Sequence, residues 1–287
     1  MAQKTLMVVH AHPDDEVFST GGLLARHAEA GDRVILVYGT RGEEGEMYHP
    51  ELDPEEAKAR LGEIREAEVR EAAAGLGVDE IYFLGYRDSG MRDTEPNQNP
   101  AAFMNAPLDE AAGRLMAIMR DTKPQVVVTY DENGGYGHPD HIMTNRVTVE
   151  AFRRLQGEPG APRKLYYTTR SSADFRRAVE AMRSGKYPTP HWLKERLNEE
   201  IDFDQWGSPE DHITARIDVR PYLSRKKQAL ATHRTQIKSD FFYLSIPDEL
   251  MSEFEGTEYF HRVEPPAKPG EREADLFEGI ESDEAAA

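Results

Sequence analysis

The sequence predicts an α/β fold: a Rossmann-like, mostly parallel sheet flanked by helices, with a smaller C-terminal lobe. Three observations predict it. Short apolar runs of five or six residues recur along the N-terminal half, the signature of strands buried on both faces. Stretches of helical periodicity alternate with them. Two dense clusters of ionisable residues follow two of the runs, where open α/β sheets bind their ligands.

The elements follow in order. Thr5–Val9 (TLMVV) is the first strand and Gly21–Glu29 a helix after it. Arg33–Tyr38 (RVILVY) is the second strand. Pro54–Leu76 reads as one long helix, with Leu61, Ile64, Ala72 and Leu76 at helical spacing and Pro54 near its start. Glu80–Leu84, Gln125–Tyr130 and Lys164–Thr169 are further strands, and Leu108–Asp121 and His141–Leu155 further helices. Tyr86–Pro107 lacks periodicity and reads as a long functional loop. Residues 157–163 form a linker-like turn, 171–220 hold two polar helical patterns, and Pro221–Thr235 reads as a late helix. The expected division is an α/β domain over 1–170, a lobe packed on it over 171–264, and an acidic tail over 265–287. Most of that tail could be disordered, but Leu276, Phe277 and Ile280 are spaced to dock onto the body.

Composition narrows the chemistry. The 287 residues include no Cys, which excludes disulfides, thiolate metal sites and cysteine nucleophiles. Any metal held by the protein must use His, Asp or Glu. A formal net charge of −18 argues against non-specific nucleic-acid binding. The apolar run near the start is too short for a secretory leader, and no stretch approaches a membrane span, so the cytoplasm is the default location.

The first cluster is His10-Ala11-His12-Pro13-Asp14-Asp15-Glu16, five ionisable groups in seven residues at a strand end. Such crowding is costly unless a cation compensates it. The plainer reading is a helix N-terminus whose acidic residues complement the macrodipole. The second cluster is Tyr136-Gly137-His138-Pro139-Asp140-His141, which opens a helix after a Gly-rich turn. Taken alone, it reads as a capped turn. Together, the two can line one crevice, and His12, Asp15 and His141 supply the two imidazoles and one carboxylate of a catalytic zinc site with an open position. A dinucleotide-binding reading fails, because acidic side chains stand where a Gly-rich phosphate loop is needed.

With these motifs the chain resembles the LmbE-like, or PIG-L-like, zinc N-deacetylases, which carry HPDDE near the start and HPDH later. Within that family it is similar to the actinobacterial thiol-sugar enzymes, the mycothiol S-conjugate amidase and its deacetylase relative. The segments that carry this likeness are GEEGE (42–46), RDSGM (87–91), TYDENGGYGHPDH (129–141), ATHRTQI (231–237) and DLFEGIE (275–281). The last two favour the amidase branch. One position points the other way: the amidase carries lysine shortly after HPDDE, whereas this chain, like the deacetylase, has Ser19.

The resemblance implies the following roles. His12, Asp15 and His141 bind Zn²⁺, with Fe²⁺ able to use the same ligands. Asp14 is the general base. His138 stabilises the oxyanion or protonates the leaving group, and Asp140 hydrogen-bonds its other nitrogen and raises its pKa. Tyr136 donates to the carbonyl oxygen. Arg65, Asp88, Glu46 and Ser19 contact the sugar side of the substrate, and His233 and Gln236 its distal part. His10 is structural rather than a ligand; His27, His49, His191, His212 and His261 have no partner motif; Phe18, Trp192 and Trp206 are core or pocket wall. The implied reaction is hydrolysis of an amide on a glucosamine conjugate: first an amidase acting on a thiol conjugate in detoxification, alternatively an N-deacetylase in thiol biosynthesis. A small aminosugar or thiol conjugate is the expected partner, with neither nucleic acid nor membrane, and a homo-oligomer is compatible with the sequence. Two other classes compete. A metal- or sugar-binding module needs no spare base, and a metallophosphatase needs two adjacent metals.

Overall fold

The computed structural model describes residues 3–280 except 50, 79, 186–188, 190–202, 204–206 and 247. Seven strands form one sheet: β1 (Thr5–His10), β2 (Arg33–Tyr38), β3 (Glu80–Phe83), β4 (Val126–Thr129), β5 (Lys164–Thr169), β6 (Ala215–Asp218) and β7 (Thr257–Glu264). Their order is β3-β2-β1-β4-β5-β7-β6. The first five run parallel, and β7 and β6 continue the same sheet antiparallel. Strand order therefore reverses between β1 and β4, which is where such sheets open a crevice at their carboxyl ends.

Eight helices matter to the site: α1 (Asp15–Glu29), α2 (Pro54–Ala59), α3 (Leu61–Leu76), α4 (Leu108–Thr122), the single turn α5 (Gly134–Gly137), α6 (Pro139–Leu155), α7 (Ser172–Arg183) and α8 (Leu223–Thr232). Side chains alternate across each strand, so β1 feeds both layers. Leu6 and Val8 join Val17, Leu23, Val69 and Leu230 from α1, α3 and α8. Met7 and Val9 join Leu115, Met143 and Val147 from α4 and α6. Both faces are covered, as a parallel sheet requires.

Three expectations change. α1 begins at Asp15 rather than Gly21, so the acidic cluster opens the helix. The long helix is broken at Arg60 into α2 and α3. The loop over 86–107 holds two short 3₁₀ turns, Glu95–Gln98 and Phe103–Asn105. Of the stretch expected as an acidic tail, the part up to 280 docks on the sheet: Leu276 is fully buried, and Glu273 pairs with Lys164 at 2.6 Å and Arg262 at 2.5 Å. His191, Trp192, Trp206 and residues 281–287 lie outside the described residues. Among the described residues no helix is long and apolar enough to cross a membrane.

Candidate active site and metal centre

The site begins where β1 stops. Asp14 sits between strand and helix with φ 107° and ψ −28°, a left-handed conformation that a residue with a Cβ rarely adopts. Its backbone N–H donates to Glu16 Oε2 at 2.9 Å, and its carboxylate lies 3.3 Å from Arg65 Nη2. Arg65 is buried and also donates to Gly42 O at 2.8 Å and to Pro13 O. The twist separates two adjacent carboxylates: Asp14 turns to Arg65, Asp15 to the histidines. Burial raises the Asp14 carboxyl to about 6, against the pull of Arg65.

Asp15, His12 and His141 face one another. His12 Nδ1 lies 3.4 Å from Asp15 Oδ2, His141 Nε2 lies 3.4 Å from Asp15 Oδ1, and the two ring nitrogens are 3.3 Å apart. A tetrahedral ion with ligands at about 2.0–2.1 Å sets its donors about 3.3–3.4 Å apart. The two imidazole nitrogens stand at that spacing, and each faces a different oxygen of the Asp15 carboxylate at nearly the same distance, so one small divalent ion could sit among the three side chains. His141 Nδ1 is 3.1 Å from Gly134 O, which places a proton on Nδ1 and leaves Nε2 free to ligate. Tyr130 stacks on His141 with centroids 4.2 Å apart, and its hydroxyl donates to Asp15 Oδ2 at 2.7 Å. His10 is fully buried: its Nε2 lies 3.0 Å from Thr20 Oγ1, and burial lowers its pKa to about 4.

Gly134 is required here. Its φ is +65°, and an added Cβ would stand 2.6 Å from His141 Cβ. Gly134→Ala is therefore expected to lower divalent-metal affinity by about 10–100-fold, as for other lost supports of a ligand. A metal-competition titration checks this; wild-type affinity in the variant would show that the turn accommodates the methyl group.

Asp140 departs from expectation. Its carboxylate does not meet His138. It accepts from His12 Nε2 at 3.2 Å, from Ser89 N at 2.9 Å and from Ser89 Oγ. Asp88 Oδ1 stands 3.5 Å from the same His12 nitrogen. Burial opposes charge on His12, yet Asp88, Asp140 and Asp15 together hold its pKa well above the usual value. The acidic pair thus fixes a proton on Nε2 and turns Nδ1 towards the centre.

His138 meets the backbone of Asp140 instead. Its Nδ1 accepts the Asp140 N–H at 3.2 Å, so a neutral ring carries its proton on Nε2. Burial, then His12 and His141, lower its pKa to about 3. The expected raised pKa is replaced by its opposite, because burial and the neighbouring imidazoles outweigh the pull of Asp88 and Asp15. Its ring lies 4.6 Å from that of His12 and 5.0 Å from that of His141. Tyr136, 61% exposed, packs edge-on to His141 with ring centroids 5.0 Å apart.

The remaining predicted residues divide. Ser19 is half-buried on α1, one turn after Asp15 and on its face. Asp88 is buried, its Oδ1 accepting Gly90 N at 2.8 Å and its Oδ2 Glu44 N at 3.1 Å. Glu46 is exposed, and its backbone carbonyl accepts from Gln236 Nε2 at 2.8 Å. His233 is fully buried beneath the turn, 2.7 Å from Glu16 Oε1, and does not line the crevice as a distal contact. Sequence reasoning missed Tyr130, Ser89 and Glu16. The signal for Tyr130 was its place at a strand end beside the second cluster.

Fold and site together define a class: doubly wound α/β proteins with a His–Asp–His crevice at the point where strand order reverses. The comparisons with known proteins narrow it. The family model described as GlcNAc-PI de-N-acetylase, PIG-L, matches residues 7–152, and the chain belongs to that family. The 1D-myo-inositol 2-acetamido-2-deoxy-alpha-D-glucopyranoside deacetylase of Thermobifida fusca is 40% identical over 293 residues, covering 96% of this chain and all of the relative. The protein of the same name from Acidothermus cellulolyticus is 42% identical, covering 97% of this chain and 96% of the relative. The solved N,N'-diacetylchitobiose deacetylase from Pyrococcus horikoshii shares the fold, with a TM-score of 0.59 at 20% identity over all of this chain and 90% of that one. These relatives support the deacetylase alternative better than the amidase reading placed first.

Proposed function

We propose that this protein is a metal-dependent N-deacetylase of an N-acetylglucosaminyl conjugate, with an inositol glycoside as the substrate class. The observation that supports the chemistry is the close approach of His12 Nδ1, His141 Nε2 and the two Asp15 oxygens, at 3.3–3.4 Å, with Asp14 next to Asp15 in the chain and turned to Arg65. The relatives' names carry the substrate, and Ser19 agrees with them. His12 through Nδ1, Asp15 and His141 through Nε2 would hold the ion, with Zn²⁺ the first choice for this donor set. Such an ion, when bound, supplies Lewis-acid polarisation and lowers the pKa of water.

The residues do the rest. Asp14 takes a proton from the attacking water and passes it to the departing amine nitrogen as the C–N bond breaks. Acetate and the free amine are the products. Tyr136 donates its hydroxyl to the carbonyl oxygen as that oxygen becomes negative. His138 donates from Nε2 to the same oxygen as a neutral ring. A nearby cation would lower the His138 pKa further, so the acid role falls to Asp14.

This reading sets the pH dependence. Asp14 must be ionised to act, and burial holds it at about 6. A bound cation favours the ionised form, so kcat/KM should fall only as pH drops to about 6 or below. A pH profile of kcat/KM checks this; an acid limb above 7 would assign it to another group. The substrate is tested by assaying acetate release from N-acetylglucosaminyl-inositol beside cleavage of a cysteinyl thiol conjugate. The expected kcat/KM ratio is at least about tenfold in favour of the acetyl substrate, or about 1.4 kcal/mol of transition-state binding. A preference for the thiol conjugate would restore the amidase reading.

A further inference from the structure

We propose that Glu16, anchored by His233, is a positioning residue that holds Asp14 in its working conformation. The proposal rests on the reading of Asp14 as the general base. Glu16 closes the HPDDE motif and is fully buried, away from the donor triad. Its carboxylate makes three contacts. Oε2 accepts the backbone N–H of Asp14 at 2.9 Å and the hydroxyl of Tyr38 at 2.9 Å, and Oε1 lies 2.7 Å from His233 Nε2. Tyr38 comes from the end of β2, and His233 from the end of α8, 217 residues further along the chain.

The Asp14 backbone needs this support. At φ 107° it occupies a region costly for any residue with a Cβ, and such a conformation persists only where its surroundings over-determine it. Arg65 holds the carboxylate end and Glu16 the backbone end. Without the Glu16 oxygen, the Asp14 N–H loses its acceptor and the peptide can relax towards negative φ. That rotation would swing the carboxylate off Arg65 and away from the reacting water. The metal donors would stay put, because Asp15 is fixed separately by Tyr130 and by the His12 N–H, at 2.7 and 2.9 Å. The signature of Glu16 is therefore a loss in kcat without a loss of metal.

The test compares Glu16→Ala, Glu16→Gln, His233→Ala and Asp14→Ala, with kcat expressed per folded, metal-loaded molecule. Glu16→Ala should lose about 10²-fold in kcat, the scale of a misplacement of about 1 Å. KM and metal affinity should stay near wild type. Glu16→Gln should recover most of the rate, since its amide oxygen still accepts from Asp14 N–H and Tyr38. His233→Ala should show a smaller loss of the same kcat-selective kind. Glu16→Ala with wild-type kcat, or one whose deficit vanishes when rates are expressed per metal-loaded molecule, would overturn the proposal. If Glu16→Ala fails to fold, His233→Ala decides, and an unchanged kcat there overturns it. Asp14→Ala separates the two ideas: an active Asp14→Ala removes the base itself, whereas an inactive one beside a fully active Glu16→Ala removes only the clamp.

Discussion

Replacing Asp14 by alanine is expected to lower kcat by about 10²–10⁴-fold, the range for a lost general base, while the protein keeps its metal. Asp14 is separated from the proposed metal donors by its own backbone twist: Asp15 faces His12 and His141, and Asp14 faces Arg65. The asparagine variant makes the test sharper. Asn tolerates left-handed backbone and keeps the shape of the side chain, so the turn should survive. It cannot take up a proton at neutral pH, so its rate should fall about as far as that of the alanine variant. Elemental analysis of metal per chain and steady-state kinetics on both variants are the measurements. An asparagine variant within tenfold of wild type would show that the carboxylate shapes the turn rather than moving the proton. A metal-free alanine variant would place Asp14 among the ligands instead.

The parallel strands and the His12, Asp15 and His141 cluster were legible because each rests on a local pattern. β2 and β5 have their expected bounds, and β1 runs one residue further than expected, to His10. His12 and Asp15 follow β1 within five residues, and His141 lies in the first turn of α6 after β4, and these are the two strands that meet where the order reverses. The missed strands have a physical reason. In β7 the inward positions are 258, 260 and 262, and two of these are Glu and Arg. Hydrophobic periodicity cannot report a strand whose buried face is charged. The expected helix begins at Gly21 rather than Asp15, so Gly21 and Gly22 fall in the interior of α1, where glycine is unfavourable. Their reason is tertiary: a Cβ at Gly22 would stand 2.3 Å from Val219, and one at Gly21 would stand 3.2 Å from Lys226. The role of Asp140 was misread for a similar cause. Its neighbour His138 is two residues away in sequence, but the loop over 86–107 brings Ser89 to its carboxylate and directs it to His12.

Lys226→Met should be the most destabilising single change outside the active site, costing about 3–5 kcal/mol, the scale of a broken buried ion pair. Lys226 is fully buried, and its ammonium lies 3.1 Å from Glu258 and 3.3 Å from Glu255, and donates to Phe18 O at 3.0 Å. Burial works against its charge, but the two carboxylates outweigh it and raise its pKa. Glu258 in turn accepts from the backbone N–H groups of Gly22 and Leu23, at 2.9 and 2.8 Å. One cation thus joins α8, β7 and the middle of α1, the helix that begins at Asp15. Methionine fills the space but leaves the Glu258 carboxylate buried with only those backbone donors. A drop in Tm on the order of 10 °C should follow. Adding Glu258→Gln should restore part of it, because the amide oxygen still accepts from α1 and no charge is stranded. Urea or thermal unfolding of the two single variants and the double variant closes the cycle. A Lys226→Met protein within about 1 kcal/mol of wild type would show that the pair's attraction merely offsets its own desolvation. The contact between α8 and α1 would then rest on apolar packing alone.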